Sequence, residues 1–157
     1  MQADGATEID TGPDLAGLET SLGFLLRIAQ VRVFDDFFDK FGDEGLRPGE
    51  FSALWLVLKH DGIRQGEVAR ALRIKPAHMT KMVRRLEDRG VLRREVPDDD
   101  RRSVRLHLSP EGAAWVQENH AQFLGHHNYL EHDLSDAEIH QLGHLLRRFA
   151  GIPEKTR

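Results

Sequence analysis

The apolar positions fall into helix-spaced stripes with one short stretch of alternation. Leu15, Leu18, Leu22, Leu25, Leu26, Ala29, Val33, Phe37 and Phe41 recur at intervals of mostly three and four, the spacing of one helical face. They predict a single helix of about seven turns from Leu15 to a stop at Gly42. A lone stripe of that length calls for a partner helix. Pro48 sits where a first helical position belongs and leads into GEFSALWLVLKH, which closes before Asp61-Gly62. Two shorter helical runs follow: GEVARAL, with Val68, Ala69 and Leu72 on one face, and PAHMTKMVRRLEDRG, opened by Pro76 and ended by Gly90. In the second, Met79, Met82, Val83 and Leu86 stand at i, i+3, i+4 and i+7 and predict the buried side.

The period then shortens. VLRREV and SVRLHL read as two strands joined by PDDDRR, a charged hairpin tip. Beyond Ser109-Pro110 a helix is expected to about His132. Ser135 and Glu138 then form a capping box for a last helix that turns Ile139, Leu142, Leu145, Leu146 and Phe149 inward. Residues 1–14 are polar and acidic and are expected to be a disordered tail. No repeat or low-complexity segment interrupts this order.

Composition narrows the chemistry. The 157 residues contain no cysteine, which excludes disulfides, thiolate metal sites and a cysteine nucleophile. The longest run free of Asp, Glu, Lys and Arg is twelve residues, Asn119 to Leu130, too short for a membrane span of about 18 or more. The N-terminus lacks the apolar core of a secretory signal, so a soluble cytoplasmic protein is expected, with no membrane partner. Net charge is −4, yet the chain is polarised. Between Gly62 and Leu106 thirteen Lys/Arg face seven Asp/Glu, a surplus of six, while the rest carries nine against nineteen. A basic middle between acidic ends suits a nucleic-acid reading head on a solvated scaffold, although an uneven surface would look the same by charge alone.

Short helix, turn, longer basic helix is helix-turn-helix spacing. On the face of the second helix opposite its methionines lie Ala77, His78, Lys81, Arg84, Arg85 and Asp88. Small residues at the helix start allow close approach to base edges, while Thr80, Lys81, Arg84 or Arg85 can reach bases and phosphates. A solvated amphipathic helix would also turn its Lys and Arg outward. The hairpin separates the two readings, because Arg101 and Arg102 at a projecting tip suit a narrow, electronegative minor groove. One of Asp98, Asp99 and Asp100 would then orient an arginine.

From Gln65-Gly66-Glu67-Val68-Ala69 through LEDRGVLRREVPDDDRRSVRLHLSPEG the chain resembles the multiple-antibiotic-resistance regulator (MarR) family of bacterial winged-helix repressors. Leu86-Glu87-Asp88-Arg89-Gly90 and Asp100-Arg101-Arg102 carry most of the likeness, and Leu108-Ser109-Pro110-Glu111-Gly112 stands where the family has Leu-Thr-x-x-Gly. The resemblance implies a mainly α fold with a small β wing: a winged helix-turn-helix domain (47–108) inserted between a dimerisation helix (15–46) and C-terminal dimerisation helices (109–157). It further implies that Asp100 pairs with Arg102 and that Arg102 enters the minor groove. Arg64 and Gln65, at the start of the first short helix, complete the residues expected at DNA. Lys75-Pro76 departs from the pattern, since the family often has Ser or Thr capping the recognition helix; the proline still starts a helix but the side-chain cap is gone.

The surplus of leucine and phenylalanine in the outer stripes independently points to a homodimer, whose two recognition helices would meet a pseudo-palindromic duplex with half-sites about 34 Å apart. The effector is unspecified. Arg27, Arg32, Trp55, His60 and Asp61 could hold an aromatic carboxylate, arginine pairing with the anion and Trp55 stacking, unless Trp55 packs in the core and the arginines face solvent. His120 and His127, or His140 and His144, have helical spacing that could serve a metal- or pH-responsive regulator. Without a His-Glu-x-x-His element or cysteine, no metal site or cofactor is assigned. Nothing resembles a phosphate loop, a nucleophile elbow or paired carboxylates in an apolar pocket, so no enzyme is expected. A helical protein-interaction module would explain the long stripes but not a basic helix beside an arginine-tipped wing.

Overall fold

The computed structural model describes residues 14–42, 45–98, 103–125 and 133–153. The first stripe is not one helix. Ala16 takes a left-handed conformation (φ 50°), a short 3-10 turn occupies Leu18–Thr20, and Ser21 then caps α1 (Leu22–Phe41) by accepting from the Phe24 amide at 3.5 Å. The periodicity survives the break, which is why spacing alone hid it. The C-terminal end of α1 supplies the buried Phe37 and Phe41, whereas Leu22, Leu25, Ile28, Phe34 and Phe38 remain exposed in the single chain.

Helix α2 (Pro48–Lys59) starts at its proline, and the Glu50 carboxylate reaches back to the Arg47 amide at 2.9 Å. It sends Phe51, Ala53, Leu54 and Val57 into the core. Strand β1 (Ile63–Arg64) follows, then α3 (Gln65–Ala71) and α4 (Pro76–Asp88). Between them the amides of Arg73 and Ile74 return to the carbonyls of Arg70 and Ala69, at 3.2 and 2.8 Å, with Arg73 left-handed at φ 53°. The same pair of bonds ends α4, from Gly90 and Val91 to Glu87 and Leu86, with glycine in the left-handed position.

The predicted hairpin is β2 (Leu92–Glu95) paired antiparallel with β3 (Arg105–Leu108), in register Leu92↔Leu108 to Glu95↔Arg105. Strand β1 was not foreseen. At two residues it is too short to show alternation, yet it completes a β1-β3-β2 sheet by pairing Ile63 with Leu106. All four residues assigned to the buried side of α4 (Met79, Met82, Val83 and Leu86) lie in the core with Phe51, Leu54, Val68, Leu106 and Val116.

Helix α5 (Pro110–Leu124) begins against this sheet. Ser109 caps it by accepting from the Gly112 amide at 3.0 Å, and donates its own amide to the Val91 carbonyl at 3.0 Å. Gly112 packs so closely that a Cβ there would overlap the Val91 carbonyl oxygen. Phe123 of α5 stacks on Phe51 at 4.0 Å between centroids and meets Phe37 edge-on, joining α5 to α2 and α1. The run to His132 is described only as far as Gly125.

Helix α6 (Asp136–Phe149) belongs to a separate unit, 124–157. Its capping box is as expected: Ser135 accepts from the Glu138 amide while Glu138 accepts from the Ser135 amide at 2.8 Å. The face expected to point inward is not inward in one chain. Leu142, Leu145 and Leu146 are exposed, and Phe149 is 67% exposed.

Candidate DNA-binding face

Helix α4 separates its side chains cleanly. Opposite the buried row, Ala77, His78, Thr80, Lys81 and Arg84 are exposed. Lys75 occupies the N-cap without a side-chain cap bond and Pro76 opens the helix. Thr80 ties this start to α3 instead. Its hydroxyl donates to the Pro76 carbonyl at 3.0 Å and accepts from Gln65 Nε2 at 3.2 Å, which locks the starts of α3 and α4 together. Gln65 and Thr80 are therefore mutually engaged, while Arg64 is exposed at the head of α3, its amide bonded to Glu67 at 3.1 Å.

Arg85 is placed differently from its neighbours. Its guanidinium is ion-paired with Glu50, a carboxylate 1% exposed beneath α2. Burial, then the nearby Arg47 and Arg89 charges, hold Arg85 below the usual guanidinium range. The helical spacing put Arg85 on the outer face with Arg84, but α2 lies along that edge and claims it. Arg94 on β2 ties the wing to α4 by donating to Glu87 at 2.8 Å. That hydrogen bond is the main reason the Glu87 carboxyl sits below its ordinary pKa and the Arg94 guanidinium above its own. Glu50 did not stand out in the sequence, where its spacing from Arg47 was the available signal, and Glu87 stood in the Leu86–Gly90 motif without its pairing to Arg94 being evident. Asp100, Arg101 and Arg102 lie outside the described residues.

The residues suggested for an effector acquire separate partners. Trp55 is half-buried and stacks on His120 of α5 (5.3 Å, 10° between planes), with the Lys59 ammonium 4.4 Å from the indole centroid. Asp61 instead accepts from His107 Nδ1 on β3 at 2.9 Å, and Glu95 Oε2 lies 3.2 Å from the other ring nitrogen. Past the end of α2 the chain has turned toward the sheet, so Trp55 and Asp61 face different elements. His60, Arg27 and Arg32 are exposed. Among the described residues no group of three or more His, Asp or Glu is placed to hold a metal ion; His126, His127 and His132 lie outside them.

The sequence profile of the MarR family matches residues 46–104, from the end of the α1–α2 connection to the start of β3. A Thauera aromatica protein described as a transcriptional regulator for the hcr operon is 30% identical over 128 residues, covering 81% of this chain and 77% of that protein. The chain belongs to the MarR family. Two solved structures extend the likeness. The repressor CouR bound to a 23-mer DNA duplex is 31% identical, with a TM-score of 0.76 over 89% of this chain and 99% of that one. Bordetella bronchiseptica BpsR, whose DNA binding is regulated by 6-hydroxynicotinic acid, is 26% identical, also with a TM-score of 0.76, over 90% and 100%. This MarR-family chain is thus a transcriptional regulator with a winged helix-turn-helix, in a family of regulators rather than of enzymes. Among its described residues no helix is long and apolar enough to cross a membrane.

Proposed function

We propose that the chain, acting without catalysis, represses transcription as a homodimer on a pseudo-palindromic operator and releases it when a small aromatic or anionic ligand binds. The observation that carries this reading is the division of α4: four core residues on one side, and Ala77, His78, Lys81 and Arg84 exposed on the other, beside a wing clasped to the same helix by Arg94 and Glu87. Ala77 and His78 would lie nearest base edges, Arg84 would read a base, and Arg64 and Lys81 would meet phosphates. Gln65 and Thr80 would present the helix starts at a fixed angle, and Arg101 and Arg102, oriented by Asp100, would reach the minor groove. Segments 15–46 and 109–157 would dimerise, which accounts for the exposed apolar rows of α1 and α6. The half-buried Trp55 supports an aromatic effector near α2, consistent with the 6-hydroxynicotinic acid of BpsR.

The test is to mix purified protein with sheared source DNA at low salt and sequence what is retained. A few fragments sharing an inverted repeat are expected, and their neighbouring genes would indicate the ligand's chemistry. No retention under any condition would remove DNA as the partner.

A further inference from the structure

The flank of α4 opens into a cleft of about 270 Å³ against the start of α2. Its wall is formed by Arg47 and Glu50 from α2's first turn and by His78, Lys81, Met82 and Arg85 of α4, four residues sharing one helical edge at i, i+3, i+4 and i+7. Its charge is unbalanced. Among the described residues Glu50 is the one carboxylate in the lining and is already paired with Arg85, leaving Arg47 and Lys81 with no described acidic counterpart in the cleft.

We propose that this cleft seats a backbone phosphate of duplex DNA, clamped between Arg47 and Lys81. The proposal rests on the DNA-binding reading above, because His78 and Lys81 belong both to the cleft and to the exposed face of α4. A helix lying in the major groove has phosphate backbones along its flanks, so a cationic cleft on that flank meets a phosphate without needing a particular base. Burial first, and then the Arg47 and Arg89 charges, hold the Arg85 guanidinium below its usual range, in keeping with a corner rich in positive charge. The Glu50–Arg85 pair is then a positioning element: it fixes the gap between α2 and α4, and Arg47 at the head of α2 closes the seat. Arg47 lies eighteen positions before Gln65 and outside the helix-turn-helix, where spacing alone does not connect it to DNA.

The test compares unaltered protein, Arg47→Gln and Arg47→Lys on the captured inverted repeat and on a scrambled duplex between 50 and 200 mM salt. Arg47→Gln should weaken both duplexes by a similar factor, on the order of tenfold, and lower the slope of log K against log salt by about one per protomer. Arg47→Lys should keep the slope. An unchanged slope in Arg47→Gln, with the unaltered protein still selecting the repeat, would overturn the phosphate seat alone. A lowered slope without any preference for the repeat would uphold the seat and overturn the sequence-specific reading.

Discussion

At the scale of single residues, Arg84 and Arg85 show how neighbours of one type divide their work. Arg84 is exposed, whereas Arg85 is ion-paired with a buried carboxylate. Removing one partner of such a pair strands the other charge. Arg85→Met should therefore lower unfolding stability by about 2–3 kcal/mol, while Lys81→Met should stay within about 0.5 kcal/mol and instead weaken DNA binding. Denaturant unfolding of both variants checks this, and equal stability losses would contradict it. The division was not legible in the sequence, because helical periodicity assigns a side chain to a face but not to a neighbour arriving from another helix. Gly112 is the opposite case. Its motif, Leu108-Ser109-Pro110-Glu111-Gly112, was conspicuous in the sequence, and only the Val91 carbonyl explains why it must be glycine.

At the scale of elements, what could be read was what had length and period. The amphipathic split of α4, the proline starts of α2, α4 and α5, and the capping box of α6 all stand where their residues put them. The two-residue β1 and the cap that interrupts the first stripe at Ser21 depend on tertiary pairing and on a local turn, and neither changes the apolar spacing. The contact between wing and α4 was equally hidden, although it has a pH signature. The folded-state pKa of Glu87 is depressed, so its contribution is fully present above the ordinary carboxylate pKa and is lost as pH falls through the lower folded value. The pair is about one-third exposed, which limits that contribution to about 0.5 kcal/mol. Glu87→Gln should accordingly lose stability at neutral pH and show a flatter decline below the usual carboxylate range, measured by unfolding from pH 7 to pH 3. An unchanged acid limb would detach Glu87 from that role.

At the scale of the whole molecule, the exposed rows of α1 and α6 ask for a second copy. Replacing Leu25 and Phe149 by Glu should convert a dimer to a monomer in analytical ultracentrifugation, without unfolding a core to which neither contributes. Affinity for a two-half-site duplex should fall far more than affinity for a single half-site, because linkage between the heads is lost. A variant that stays dimeric would place the interface elsewhere.

The tight meeting of Gly112, Ser109 and Val91 makes a joint with no slack between α5 and the base of the wing. A joint of that kind works as a bell crank. The four residues of β2 reach about 13 Å beyond it at ~3.3 Å per residue, so a tilt of roughly 10° in α5 would move the far end of that strand by about 2 Å. Spin labels on Glu118 and Val96 should keep a constant separation whether or not DNA is bound, while each moves relative to the other protomer. A separation that changed would mean the crank bends, and that the joint's close packing serves stability rather than transmission.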